Sequence, residues 1–495
     1  MRKLLVPLAG VLLALAVQAP AQAADIPVAD ATSFAQALAS AKPGDVIRLA
    51  STSFPRLTVG RQFTSTVTIA GSGSTTVDGL TVAGAANVTF EDMQISPAGS
   101  VSALSTVIGS SGIRFKDVHF VGAQPGGNVG LDIGKDSSDV QVVGGEFTLC
   151  KSACLKPGGR NIVVTGTQFH DCYDCDMVRG GGSAVTLNRD TFDRALVGAG
   201  GNHNDLIQIM GGGPWTIVND RFGAHEHGAA QIYVNPGPGR ATNPLHDVAI
   251  ENSVFAGESG IAIRIGIGSS ATYAPTGVKI VNNTILSGRI SSIFLTDGWA
   301  DVAEAARPIV ANNIVSLAAG AGCGRGTWIA NVVLTGTACA TDRLARLTIG
   351  ADGVPPSSAA SILSTGDPLY APLTDIFGHK RNGRPDIGAI QYSTAAPLAL
   401  VAPRLLGRML GQLRQSQWHL SVPLTLTSAS GLSVDAKAGG RIVARLTRTA
   451  KSTSSRYVLQ FVLPQTVRRS GTLVLTIRAT GGGKAVTRTV VVRIF

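Results

Sequence analysis

Between residues 87 and 314 hydrophobic and polar positions alternate in short runs, and each run closes on a large apolar residue. The runs are NVTFEDMQI from Asn87, GIRFKDVHF from Gly112, DVQVVGGEF from Asp139, NIVVTGTQF from Asn161, AVTLNRDTF from Ala184, PWTIVNDRF from Pro214, DVAIENSVF from Asp247 and GVKIVNNTI from Gly277. Their end residues are Ile95, Phe120, Phe147, Phe169, Phe192, Phe222, Phe255 and Ile285, with a ninth at Ile314. Alternation of period two marks strands. Intervals of 25, 27, 22, 23, 30, 33, 30 and 29 residues suit a coil of three short strands that stacks on its neighbours. The end residues then form an internal ladder, and the Asn/Asp/Gly pairs take the bends, where left-handed backbone is tolerated. Leucine-rich repeats would need leucines that are missing, and propeller blades need longer units. The pattern predicts an all-β chain, a right-handed parallel β-helix.

Two further stretches fit that architecture. DATSFAQALASAKPGDVIRLA, from Asp30, reads as a capped helix with Phe34, Leu38 and Ala41 on one face, ending at Pro43-Gly44. Such a helix would plug the open end of a solenoid and protect its edge. From Asp367, DPLYAPLTDIFGHKRNGRPDIGAIQY is turn-rich and reads as the closing segment. Beyond an Ala/Pro/Leu-rich linker, strict alternation resumes in HLSVPLTLT, RIVARLTRT, YVLQFVLP, TLVLTIRAT and AVTRTVVVRIF, the pattern of a small antiparallel β-sandwich. The expected division is a signal peptide over 1–23, a β-helix with its cap over 24–394, a linker over 395–415 and a basic β-sandwich over 416–495.

Charge and composition sharpen this picture. The basic tip Arg2-Lys3, the apolar run Leu4 to Val17 and Ala21-Gln22-Ala23 form a secretory signal with cleavage expected before Ala24. The protein is therefore expected outside the cell or in the periplasm. It is expected to span no membrane, to bind no nucleic acid and to act as a monomer. Of the net charge of +11, the chain from Ala396 holds 15 Lys/Arg against one acid, leaving 27 basic and 30 acidic residues before it. The basicity belongs to the tail, which could hold an anionic polymer by charge. Sixty glycines and only 5% aromatic residues do not suggest helical bundles and favour short strands with tight turns.

The F-x-x-A-x-x-x-A-x-PGD-x-I-x-L opening, the N-N-x-I/F coils and the DIGAIQ close resemble the pectate-lyase-like β-helix family, over roughly residues 30–392. That family contains polysaccharide lyases, uronate epimerases and glycoside hydrolases. The resemblance implies action on an anionic polysaccharide, Lys or Arg in catalytic places, and calcium on groove aspartates, here Asp176 and Asp205. No organic cofactor is called for.

The rung spacing aligns the strand that follows each end residue. Its outward column reads Asp132, Lys156, Arg179, Gln208, Gln231, Arg264 and Phe294, flanked by apolar inward positions such as Leu155, Val178 and Ile207. A second column, three residues earlier, holds Asp176 and Asp205. A seven-residue insertion, Val197 to His203, carries His203 to the same face. β-Elimination of a uronate polymer needs a base, positive charge on the carboxylate and an acid for the leaving oxygen. Lys156, Arg179, His203, Asp205 and Arg264 are the catalytic candidates. Lys156 and Arg179 divide the base and carboxylate-neutralising roles, His203 is an alternative base, and Arg264 is a second clamp. Asp132, Gln208, Gln231 and Tyr233 are the substrate contacts. Alternatives on the same groove are hydrolysis by Asp176 and Asp205, uronate epimerisation, and glycan binding without reaction.

Six cysteines in an exported chain point to disulfides. Cys150 should stack on Cys172, and Cys154 on Cys175, in adjacent coils, while Cys323 and Cys339 close a surface loop. The C-x3-C and C-x2-C spacing also suits zinc, though less so in an oxidising compartment.

Overall fold

A computed structural model describes residues 23–391 apart from 98–101, 124–128, 197–203, 226–229, 237–242, 258, 268–272, 319, 340, 351–352, 357–358 and 382–384. Further on it describes 400–401, 412–414, 417–426, 431–438, 441–448, 455–463, 472–481 and 484–493. Residues 1–22 of the expected signal peptide thus lie outside the described residues. No helix among the described residues is long and apolar enough to cross a membrane.

Three all-parallel sheets run the length of the main body, with 13, 10 and 13 strands, and successive strands of the chain pass from one sheet to the next. One complete coil is Ser152–Pro157, Arg160–Thr165 and Gln168–Tyr173; the next begins at Cys175–Gly180. This is a parallel β-helix. The ten-strand sheet, from Leu57–Val59 to Ser291–Leu295, carries the outward column and is called the groove sheet below. The sheet holding the end residues is the ladder sheet.

In the ladder sheet Phe120, Phe147, Phe169, Phe192, Phe222 and Phe255 stack with ring centroids 4.4–5.1 Å apart and planes within 12° of parallel. All six are almost wholly buried. The ninth copy departs from expectation. Ile285 pairs with Val315, not Ile314, which instead pairs with Thr284. Ile314 therefore faces outward, where Ile362 and Ile387 of the returning chain bury it.

That returning chain, expected as the closing segment, runs as a strap along the coils. Asn252 donates to the Thr374 carbonyl, Asn282 to Asp386 and Asn312 to Asp367. The asparagines can do this because Asp92, Asp117, Arg189, Asn219, Asn252, Asn282 and Asn312 sit in left-handed backbone, φ 49–63°, at the bend of each coil.

The next residue of each bend points inward and builds a hydrogen-bonded ladder. Thr167 N–H donates to Asp190 Oδ1 (2.7 Å), Asp190 N–H to Asp220 Oδ1 (2.7 Å) and Asp220 N–H to Ser253 Oγ (3.1 Å). The series continues through Asn283, Asn313, Asn331 and Asp342 at 2.9–3.0 Å. Each of these three asparagines also donates from Nδ2 to a backbone carbonyl of the preceding coil, Ile250, Ile280 or Val310.

At the N-terminal end the helix Ala31–Ser40 packs on Asp25–Val28 and Val46–Leu49, burying Phe34 and Ala37. Its N-cap is Asp30, whose Oδ1 accepts from Ser33 N–H at 2.7 Å while Ser33 Oγ reaches back to Asp30 N–H. Losing such a cap costs about 1 kcal/mol. Asp30→Ala is expected to speed amide exchange at Phe34 about fivefold, the kinetic equivalent of that loss. An unchanged rate would show that packing alone fixes the helix end.

The C-terminal region contains two antiparallel four-strand sheets, one built on Gln417–Leu426 and the other on Gly431–Ala438 and Thr472–Gly481. Two short strands, Leu400–Val401 and Gln412–Arg414, fall inside the expected linker and pair with Gln417–Leu426. The sheet region therefore begins before residue 416.

Candidate functional site

In the groove sheet an outward row runs between two buried inward rows, the second through Ile209, Val234, Ile265 and Leu295. Inward, Leu131, Leu155, Val178, Ile207, Ile232, Ile263 and Ile293 pair coil by coil and are at most 3% exposed. Burial of this row fixes the register, because a one-residue slip would put it in water. The outward row then follows: Asp132 beside Lys156, Arg179 beside Gln208, Gln208 beside Tyr233, Tyr233 beside Arg264, and Arg264 beside Phe294. Pairing of Leu155 with Val178 sets Lys156 next to Arg179.

One sequence expectation is corrected here. Gln231 is not in the column. It is fully buried at the bend, where its amide donates to the Gly223 and Ala256 carbonyls and its Oε1 accepts from Ser287. Tyr233 occupies the outward place, eleven residues after Phe222. The alternation Ile232-Tyr233-Val234 carried that signal, as Ile207-Gln208-Ile209 did one coil earlier. The insertion stands as counted: Gln208 takes the column place 16 residues after Phe192, seven more than the nine that separate Lys156 from Phe147. His203, within that insertion, lies outside the described residues.

Asp176 and Asp205 are brought together, but beneath the groove. Asp205 has no exposed surface and Asp176 is 4% exposed. Asp176 Oδ1 accepts Asp205 N–H at 2.9 Å, and its Oδ2 lies 3.6 Å from Arg179 Nε. Asp205 Oδ1 accepts Ala230 N–H at 2.8 Å, and Oδ2 faces Gln208 Nε2 at 3.5 Å. Burial, reinforced by the Asp176 charge, pushes the Asp205 carboxyl up to about 8, against the pull of Ala230, Arg264 and Arg179. Asp205 is thus a positioning residue: it holds Gln208 and, through Asp176, Arg179.

The aspartate pair does not fit calcium. That ion takes six to eight oxygens, whereas backbone N–H groups, an amide and a guanidinium are directed at these carboxyls. Nor do the two fit a glycosidase pair, since such acids must flank an exposed bond.

The groove's own polar groups are little used by the protein. Lys156 and Asp132 are half-buried and make no ion pair or hydrogen bond with any described residue. Arg179 is exposed, its Nε anchored near Asp176 and 3.5 Å from Met210 Sδ. Gln208 Oε1 and Arg264 Nε are buried atoms with no hydrogen-bond partner. Both atoms lie beneath the surface, so the groups at this end of the column that a ligand can reach are Lys156, Asp132 and Arg179.

Next to these coils the cysteines are arranged differently from expectation. Cys172 is bonded to Cys175 within one turn, and Cys150 and Cys154 are buried thiols. Cys154 Sγ lies 4.0 Å from Cys175 Sγ. The expected pairs between coils are absent: Cys172 and Cys175 flank the corner between the ladder and groove sheets, with Cα atoms 5.9 Å apart, within disulfide reach. Cys154, Cys172 and Cys175 have metal-like spacing, but two of these sulfurs are already joined, which argues against zinc. Cys323 and Cys339 form a disulfide. Burial holds the Cys154 thiol well above its usual range. Iodoacetamide is therefore expected to leave Cys150 and Cys154 unmodified in the native protein and to alkylate both after unfolding. Rapid native labelling would contradict their placement.

Sequence reasoning missed one network. On the ladder sheet, Glu146 accepts from His119 Nδ1 (3.1 Å) and His170 Nε2 (3.2 Å), and Arg194 chelates Asp171, which also bonds His170. Burial opposes charge at His170, yet Asp171 and Glu146 raise it to about 9. The residues are spread from 119 to 194, and only the register brings them together.

No family model matches the sequence, and no curated protein does. Among solved structures, the chain is similar to the PL6 family alginate lyase AlyGC, with 12% identity and TM-score 0.29 over 58% of this chain and 51% of that one. It is also similar to the enzymatically active domain of bacteriophage CBA120 tailspike protein 2, with 11% identity and TM-score 0.24 over 95% and 76%. The match spans about half of the lyase chain. Likenesses this slight carry no argument about activity, which rests on the groove itself.

Proposed function

We propose that the protein is an exported polysaccharide lyase that cleaves a uronic-acid-containing polymer by β-elimination on the groove sheet. The observation that carries this reading is the pairing of Lys156 with Arg179 on adjacent coils, outward and reachable, above an aspartate that steadies the arginine. Elimination requires removal of a weakly acidic proton next to a carboxylate, a base to take it and a cation to hold the charge that develops. Lys156, as the neutral amine, takes the C5 proton; the C4=C5 bond forms as the C4–O bond breaks, and the resulting ammonium returns the proton to the leaving oxygen. Arg179, oriented by Asp176, neutralises the carboxylate as charge moves into it. Gln208, the next residue of the column, is buried and packs beside Arg179, with its amide facing Asp205.

The hydrolytic alternative loses support because both of its carboxyls lie under the surface. The experiment is incubation with alginate, pectate and glycosaminoglycans while ultraviolet absorbance is followed. A rise from the unsaturated uronate on at least one polymer is expected. Reducing sugar released without absorbance would contradict the reading.

A further inference from the structure

Arg264 lies three coils along the column from Arg179, too far to share one sugar with it. At roughly 4.8 Å per coil the backbone separation is about 14 Å. Its guanidinium lies 4.8 Å from the Tyr233 ring centroid and 5.9 Å from that of Phe294. The strand is held by Ile263 and Ile265, both fully buried. The side chain is therefore pinned between two rings in the outward row. Such stacking satisfies the face of a guanidinium but not its N–H groups, which lie in its plane.

The N–H groups are the unmet part. Arg264 Nε is buried and has no hydrogen-bond partner, and Arg264 makes no ion pair with any described residue. Asp205 is near enough to feel its charge, but the Asp205 oxygens accept from Ala230 and face Gln208. Arg264 is partly exposed and its terminal N–H groups bond to no described residue, so a carboxylate presented to them in the guanidinium plane would pair through two parallel bonds. The rings on either side offer flat apolar faces of the kind that pack against the C–H face of a pyranose.

We propose that Tyr233, Arg264 and Phe294 form a distal subsite for an acidic sugar about three residues along the polymer from the one at Lys156 and Arg179. The inference rests on the groove reading given above. One step of the column closely matches one residue of an extended 1,4-linked pyranose chain, so sugars and coils keep pace along the groove. The site discriminates by charge: a neutral sugar leaves Arg264 unpaired, and the unpaired donor penalises that ligand.

The test uses uronate oligomers of two to six residues prepared from whichever polymer the protein binds, with kcat and KM measured for each and binding followed by calorimetry. For the wild type, kcat/KM and affinity should rise by about tenfold or more once the oligomer is long enough to reach Arg264, with most of the gain in KM. Arg264→Gln should flatten that rise, Arg264→Lys should restore part of it, and Tyr233→Phe, which keeps the ring, should retain it. A smooth dependence on length in the wild type would overturn the subsite while leaving the groove reading intact. So would a loss in Arg264→Gln that falls on kcat equally for short and long oligomers. Absence of both binding and cleavage for every acidic oligomer would overturn the groove reading as well.

Discussion

Lys156→Ala is expected to lower turnover of a uronate polymer by about 10²–10⁴-fold, the usual contribution of a positioned general base. The substitution is a clean one. Lys156 projects from a strand whose register is fixed by its neighbours Leu155 and Pro157, both buried, and it makes no described contact that its removal would break. The loss should therefore fall on kcat, with the circular dichroism and melting behaviour of the protein preserved. Arg179→Ala should cost a comparable factor, but it also removes the guanidinium beside Asp176 and so should lower stability slightly. Turnover of Lys156→Ala within a factor of three of the wild type would remove this residue from the mechanism.

The second large effect concerns the bend ladder. Asp190 and Asp220 occupy places that Asn283, Asn313 and Asn331 fill further along, and both are fully buried. An asparagine there both accepts and donates; an ionised aspartate only accepts. Burial raises both carboxyls, Asp190 to about 8, and the Asp190 charge raises Asp220 further. In the unfolded chain each would ionise near pH 4. Between about pH 4 and 8 the folded protein thus binds more protons than the unfolded one, so these groups lower stability as pH rises through that window. Each pH unit costs up to ~1.4 kcal/mol per group. Asp220→Asn keeps the acceptor for Asp190 N–H and supplies the missing donor. Its urea midpoint should match the wild type near pH 4.5 and exceed it by a margin that widens toward pH 8. A gap that is the same at every pH would show that the carboxyl is ionised in the fold.

Local alternation carried most of the architecture. The spacing of the Phe ladder and the Asn/Asp bends is a repeated steric demand, and repetition makes it readable from one chain. The cap helix was legible for the same reason, since Asp30 and Ser33 act over three residues. What was not legible depended on partners far along the chain. Ile314 looks like a rung residue, because an apolar side chain covered by a strap reads like one covered by a core. Gln231 was placed outward by counting, although two extra residues in that bend shifted the column to Tyr233. Asp176 and Asp205 were found at equivalent places, but spacing could not say that the pair lies under the sheet surface. The cysteines clustered as expected, while the bonding partner was set by a corner between sheets that rung counting does not resolve.

The most direct measurement of the central claim is the fate of solvent oxygen. Digestion of the responsive uronate polymer in water enriched in heavy oxygen, followed by mass spectrometry, separates elimination from hydrolysis in one spectrum. The groove described here predicts unlabelled products that carry an unsaturated terminal uronate. Incorporation of one solvent oxygen per cleaved linkage, with saturated ends, would contradict it.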